Sequence, residues 1–219
     1  DAKENAFNIV NVVGEDLKID PGMPAEAAGV AALSALEAAV ADLRNGDIDV
    51  LVTAPINKHT IQSPTFHFPG HTEYLETSLS DGDKNSKAIM VLCAGELRVA
   101  LVTTHVPVSK VSEAITKEVI VEKLELFDRS LRRDFGVQAP RIAVLSLNPH
   151  AGEEGLLGTE EAEVIAPALA EARDKRIVAF GPYAADGFFG SGNYKAFDGV
   201  LAMYHDQGLA PFKTLAMDA

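Results

Sequence analysis

The chain alternates short, continuously apolar runs with longer segments of helical periodicity, and this alternation constrains the fold more than any other sequence feature. The apolar runs have the length of strands and are rich in Val, Ile and Leu. Strands without polar alternate positions are buried on both faces, which is typical of parallel sheets whose strands are connected by helices. The sequence therefore predicts an α/β fold with a largely parallel sheet.

Local signals give the predicted elements their boundaries. Helices are predicted over 24–46, 109–135 and 159–174. Pro24 suits a first helical turn and Gly46 a stop, while Thr159, Glu160 and Glu161 offer a cap and acidic residues for the helix dipole. Strands are predicted over 49–53, 88–94, 97–104, 142–147, 177–180 and 199–203, the first of them buried and the next two paired as a hairpin.

Composition removes several classes of function. Asp and Glu number 32 against 19 Lys and Arg, which gives a net charge of −13. This charge argues against a nucleic-acid or anionic-lipid surface, because phosphate groups are bound by clustered Lys and Arg. No apolar run reaches the about 20 residues of a membrane span, and no signal peptide is visible. We therefore expect no nucleic acid, no membrane and a cytoplasmic location, with 219 residues forming one large domain or two small lobes.

The single cysteine bears on both redox state and packing. Cys93 has no second cysteine in the chain to pair with, so an internal disulfide is excluded. It lies in the apolar run 89–94, which predicts a small buried core residue.

Three of the six histidines share one context, the residues just after a predicted strand. His105 follows the run that ends at Thr104, His150 follows the run that ends at Leu147, and His205 follows the strand over 199–203. The carboxyl ends of strands are where open α/β sheets bind ligands, so the three imidazoles could converge there. Three neutral imidazoles suit a divalent metal with positions left for substrate. The alternative is that each histidine caps a strand or packs in a loop.

A second polar cluster lies at 68–75. Gly70 precedes His71 and Thr72, and Glu73 opens an apparent short helix. Backbone amides at a helix start suit a phosphate or a carboxylate. An ordinary connection from loop to helix is the competing interpretation.

Common nucleotide and hydrolase motifs are absent from the sequence. The segment 190–195 lacks the third glycine of GxGxxG, and 208–214 lacks the glycine that precedes the lysine of a phosphate-binding loop. Gly-x-Ser-x-Gly is also missing. These absences disfavour a Rossmann fold, a P-loop ATPase and a serine hydrolase.

Five motifs together resemble those of the 4-hydroxythreonine-4-phosphate dehydrogenase family of vitamin B6 synthesis. They occur in the order of that family and run through nearly the whole chain. The motifs are Thr53–Lys58, Pro69–Leu75, Val102–Pro107, Leu147–Gly152 with Gly155–Gly158, and Tyr204–Gly208.

The resemblance implies an α/β/α fold like that of the isocitrate and isopropylmalate dehydrogenases, with two lobes around a cleft and NAD or NADP bound without a Rossmann fingerprint. Residues 1–60 with 206–219 would belong to the first lobe. Residues 61–205 would form a central lobe that carries the metal ligands and dimer contacts. The family is homodimeric, with its active site at the dimer interface.

The resemblance also implies roles for individual residues. One divalent ion (Zn, Mg or Co) falls on His105, His150 and His205, and the substrate-binding residues fall on His71, Thr72 and Lys213. Asp186 and Asp206 are the candidate catalytic residues. We leave the base open between them, because an ion pair or a hydrogen bond to a metal-binding histidine suits either one equally well.

By resemblance, the substrate is 4-phosphooxy-L-threonine, whose reacting hydroxyl is β to the carboxylate. Oxidation by NAD(P)+ would give a β-keto acid that decarboxylates to 3-amino-2-oxopropyl phosphate, on the route to pyridoxal phosphate. Two departures, within 181–187 and at Glu154, leave open another phosphorylated hydroxy acid such as D-threonate or D-erythronate 4-phosphate. Family members extend beyond both ends of this sequence, so a catalytically incomplete fragment is a further alternative.

Overall fold

The computed structural model describes residues 3–14, 17–18, 22–80 and 87–216. The chain divides into two compact units, residues 1–88 and 89–219. The first contains the helices α1 (Glu26–Asn45) and α2 (His71–Leu79). The second contains β1 (Val91–Ala94), β2 (Leu97–Leu101), α3 (Val111–Ala114), α4 (Lys117–Arg133), β3 (Ile142–Leu145), α5 (Ala166–Asp174), β4 (Ala179–Tyr183), α6 (Ala185–Gly190), β5 (Gly199–Ala202) and α7 (His205–Leu215).

In the first unit, α1 confirms the helix predicted over 24–46. The helix ends at Gly46, which adopts the left-handed backbone (φ 77°) that glycine tolerates best. Its apolar face buries Leu33, Leu36 and Val40 in a small core that includes Phe66.

The strand predicted at Asp49–Thr53 is wrong. This segment has no regular structure, and Val50 and Val52 are 72% and 89% exposed. A strand exists only when a neighbour pairs with its backbone. The described residues of the first unit offer no ladder, only the isolated bridge between Ser63 and Phe66.

The second unit is built on a five-stranded sheet with the order β1-β2-β5-β3-β4. β1 and β2 form the predicted antiparallel hairpin, and all other pairs are parallel. Val99 pairs with Val200, and Ile142 pairs with both Gly199 and Ala179. The α/β class and the largely parallel sheet are therefore confirmed.

Helices cover both faces of this sheet. Ala100, Val144 and Leu201 point into a core that α4 and α5 complete, whereas Val99 and Leu145 point into a second core under α6 and α7. Both sets alternate along their strands, as the two-residue period of a strand requires. The second unit thus has three layers, helix, sheet and helix.

Two predicted helices differ from the structure at their starts. The segment 109–135 is interrupted, because Thr116 adopts an extended backbone and its Oγ1 accepts a hydrogen bond from Val119 N, which begins α4 anew. The segment 159–174 opens with a π-turn over Glu161–Ile165 before α5.

The buried position predicted for Cys93 is wrong, since the cysteine is exposed. Among the described residues, β1 pairs only with β2 and forms an edge of the sheet, where one side of the strand has no neighbour to shield it. The polar residues of 78–87 predict a loop from the sequence; α2 continues into this segment as far as Leu79, and residues 81–86 lie outside the described part. No helix among the described residues is long and apolar enough to span a membrane.

The packing of α4 on the sheet gives a stability prediction. Leu124 is completely buried, so Leu124→Ala should lower the free energy of unfolding by about 2–5 kcal/mol, because the cavity cannot fully collapse. Urea denaturation followed by circular dichroism measures this change. Arg129→Ala, at an exposed position of the same helix, is the control and should stay within about 0.5 kcal/mol of wild type. Equal losses in the two variants would contradict the assigned core.

Candidate functional site

The three predicted metal ligands lie at the carboxyl ends of three adjacent parallel strands. In sheet order these strands are β2, β5 and β3. His105 follows β2, His205 is the first residue of α7 after β5, and His150 follows β3. The shared direction of these strands puts their carboxyl ends side by side, which is where α/β sheets bind ligands.

His105 and His205 approach each other at this edge. Their ring centroids are 6.2 Å apart, and the rings are inclined at 39°. His205 Nδ1 lies 2.7 Å from an Asp206 carboxylate oxygen, so this carboxylate orients the ring.

His150 does not complete a triad with these two rings. Among the described residues, no three His, Cys, Asp or Glu side chains lie close enough together to hold one ion. The donor chemistry nevertheless fits a divalent metal, since imidazole is the commonest protein ligand of metal ions. All three histidines also follow strands that end on the same side of the sheet. The three-histidine site stays a prediction.

The backbone around His150 is unusual. Each residue from His150 to Glu154 has a positive φ, so this stretch makes a left-handed turn within Pro149–Gly155. The left-handed conformation costs roughly 1–2 kcal/mol for each residue other than glycine. Such a turn persists only where the surrounding structure holds it.

Gln207 connects the ends of β3 and β5. Its Oε1 accepts a hydrogen bond from Met203 N at 2.7 Å, and its Nε2 donates to Ser146 O at 2.6 Å. One side chain therefore fixes the two chain segments that lead to His205 and His150.

Glu161 is a buried residue beside the site that sequence reasoning missed. It was expected only to favour the helix dipole, yet it is 6% exposed and accepts hydrogen bonds from Leu147 N and Asn148 N. The available sequence signal is a Glu at the start of a predicted helix, where its carboxylate can reach back to backbone amides. That signal does not show which segment the carboxylate will meet.

A cavity of about 510 Å³ lies at the same edge of the sheet. Both candidate catalytic residues, Asp186 and Asp206, line it together with His150. Phe189 and Tyr204 supply aromatic walls. The cavity combines two carboxylates, an imidazole and apolar surface, which is the composition of a small-molecule site.

The three predicted substrate residues are divided between the two units. Lys213 is exposed on α7 and does not line this cavity. His71 and Thr72 form the first turn of α2 in the first unit, where the Lys58 side chain lies against Gly70. Gly70 itself is extended (φ −176°), so that turn does not depend on glycine.

A cavity at the carboxyl ends of parallel strands is where α/β folds bind small molecules. The family model described as pyridoxal phosphate biosynthetic protein PdxA matches residues 1–219. The chain therefore belongs to this family, which confirms the resemblance seen in the five motifs.

Individual relatives agree with the family. A 4-hydroxythreonine-4-phosphate dehydrogenase from Bacteroides thetaiotaomicron is 59% identical over 218 residues, which is 100% of this chain and 59% of that protein. The crystal structure of the Klebsiella pneumoniae dehydrogenase of the same name matches with a TM-score of 0.81 and 37% identity, over 90% of this chain and 58% of its own. This chain thus spans less than two thirds of both proteins.

A more distant solved structure shares the fold. A terephthalate 1,2-cis-dihydrodiol dehydrogenase from Burkholderia xenovorans matches with a TM-score of 0.70 and 26% identity. The match covers 94% of this chain and 64% of that one.

The connection made by Gln207 can be tested through stability. Gln207→Ala leaves Met203 N and Ser146 O without their partner, which should cost about 1–3 kcal/mol of unfolding free energy. Chemical denaturation measures the loss. Gln138→Ala, at an exposed position, is the control and should change stability by less than about 0.5 kcal/mol. A Gln207 variant as stable as the control would show that this connection is dispensable.

Proposed function

We propose that the protein carrying this chain is an NAD(P)-dependent 4-hydroxythreonine-4-phosphate dehydrogenase. The observation that carries the proposal is 59% identity across the full chain to a relative of that name. Three neighbouring strand ends that are each followed by a histidine support it, as does the cavity lined by His150 and two carboxylates. The substrate would be 4-phosphooxy-L-threonine and the product 3-amino-2-oxopropyl phosphate, formed by decarboxylation of a β-keto acid.

We further propose the architecture that the family resemblance implies. It is an isocitrate dehydrogenase-like fold with two lobes and a cleft that binds the dinucleotide without a Rossmann motif. The lobes would be residues 1–60 with 206–219, and residues 61–205. The protein would act in the cytoplasm as a homodimer with its active site at the subunit interface.

The cofactors would be NAD or NADP and one divalent ion, Zn, Mg or Co. His105, His150 and His205 would hold the ion, and imidazole donors fit Zn or Co best among these. When bound, the ion supplies Lewis-acid stabilisation of negative charge and the nicotinamide supplies a hydride acceptor.

The chain's own residues bind and orient the substrate. His71, Thr72 and Lys213 would bind the anionic ends, which fixes the reacting carbon relative to the strand edge. Asp206 holds the His205 ring through Nδ1, which leaves Nε2 as the free ring nitrogen. Asp186 lines the cavity beside His150 and is the carboxylate that remains for proton transfer or an ion pair.

The second candidate function is oxidation of another phosphorylated hydroxy acid, D-threonate or D-erythronate 4-phosphate. Two observations favour it. The segment 181–187 and Glu154 depart from the family pattern. β4 and the left-handed turn bring these two departures to the side of the sheet where the strands end. In addition, the dihydrodiol dehydrogenase that shares the fold is named for a quite different substrate.

A substrate comparison tests the proposal. Purified protein with NAD+ or NADP+ and each metal should reduce the nucleotide with 4-phosphooxy-L-threonine at the highest kcat/KM, followed by absorbance at 340 nm, a standard assay wavelength. Turnover of the threonate or erythronate ester alone would replace the first proposal with the second. No turnover from a protein whose intact mass is near 23.3 kDa would support a catalytically incomplete chain.

The metal ligands have a separate test. His150→Ala should abolish stoichiometric metal in elemental analysis, because a site with two imidazoles loses most of its affinity. His67→Ala, at an exposed position outside the strand edge, is the control and should retain the metal. Unchanged metal content in the His150 variant would refute the three-histidine site.

A further inference from the structure

We propose that Glu161 is a positioning residue that holds His150 in place for metal binding. The inference rests on the proposed function, because it takes His150 as a metal ligand. It adds a residue that the family motifs did not point to, and its argument depends on contacts within the second unit.

Both oxygens of the buried Glu161 carboxylate are occupied. Oε1 accepts from Leu147 N at 2.8 Å and from Asn148 N at 2.7 Å, and Oε2 accepts from Asn148 Nδ2 at 3.0 Å. A buried carboxylate is costly unless hydrogen bonds replace its water, and these three donors do so. All three of these bonds go to the Leu147–Asn148 segment, which suits a carboxylate that positions the chain.

The donors lie immediately before His150 in the chain. Leu147 and Asn148 connect the end of β3 to the left-handed turn that begins at His150. Ser146, one residue earlier, is fixed by its N–H bond to Tyr183 O and by its own Oγ bond to Asn148 O. Glu161 therefore accepts hydrogen bonds from the last two backbone N–H groups before His150, the proposed metal ligand.

The left-handed turn also packs around Glu161. Gly152 is buried inside the turn, and a Cβ at this position would lie 2.7 Å from Glu161 Oε2. The turn can therefore approach the carboxylate only because residue 152 has no side chain. The residues on either side of Gly152 are not glycine and have a positive φ, which costs energy and persists only where the surrounding structure supports it.

The helix that carries Glu161 is itself irregular. The π-turn begins at Glu161 and precedes the regular helix α5. Single π-turns occur often at functional sites, where they change the direction of one side chain. The π-turn thus carries the Glu161 carboxylate, and the left-handed turn that begins at His150 packs against the same carboxylate.

Loss of a group that orients a metal ligand typically weakens metal binding 10–100-fold. Glu161→Gln keeps the size of the side chain, and its oxygen can still accept from the two backbone amides. Its NH2 group would face the NH2 of Asn148, where the carboxylate accepted a hydrogen bond. We therefore expect the Asn148 side chain to be displaced and the Leu147–Asn148 segment to be held less firmly before His150.

The test is Co2+ binding by the purified protein, measured by titration calorimetry and by the visible spectrum of the bound ion. Glu161→Gln should bind Co2+ about 10–100-fold more weakly and shift the spectrum, because the His150 ring is displaced. Glu163→Gln is the matched control: it makes the same charge change at an exposed position two residues away and should match wild type. Melting curves establish that both variants fold.

The outcomes separate this inference from the proposed function. If His150→Ala lowers Co2+ affinity but Glu161→Gln stays within about twofold of wild type with the same spectrum, the positioning role is wrong and the metal site stands. If His150→Ala binds Co2+ like wild type, the metal site is wrong and the positioning role with it. If Glu161→Gln does not fold, Glu161→Asp decides, since the shorter side chain keeps the charge but withdraws the carboxylate from Leu147 N and Asn148 N. Unchanged Co2+ affinity in that variant would overturn the inference.

Discussion

Parallel pairing of β5 between β2 and β3 is the constraint on which the second unit depends. These strands are distant in the sequence, and their backbone hydrogen bonds give them one direction and one register. Because the direction is shared, the segments that follow them all emerge at the same edge. His105, His150 and His205 therefore follow neighbouring strand ends.

The strand edge alone does not fix the histidines, and side chains from other elements complete the arrangement. Gln207 joins the segment after β5 to the segment after β3. Glu161 reaches from the start of the following helix to the two amides before His150. Asp206 orients the ring of His205. The contacts of Gln207 and Glu161 hold segments between regular elements, so the cavity has defined walls.

Much of this fold could be predicted from the sequence, and the failures share one cause. The hairpin at Gly95, the helix α1 and the strands β3 and β5 follow from local signals that their neighbours do not oppose. Asp49–Thr53 has the composition of a strand, yet no partner strand lies beside it among the described residues. Cys93 belongs to an apolar run but sits on an edge strand, where one neighbour is absent. In both cases the outcome depended on what lies next to the segment.

The sequence by itself determined the class of fold, the family and the strand-following position of the three histidines, because hydrophobic period and ordered motifs are local properties of the chain. Only the tertiary structure decided that His105 and His205 meet while His150 lies on a left-handed turn, and that Glu161 supports this turn. Such contacts depend on the distance in space between segments that are far apart in the sequence. A buried carboxylate is stable only where such a segment brings hydrogen-bond donors to it. No periodicity in the chain records that distance.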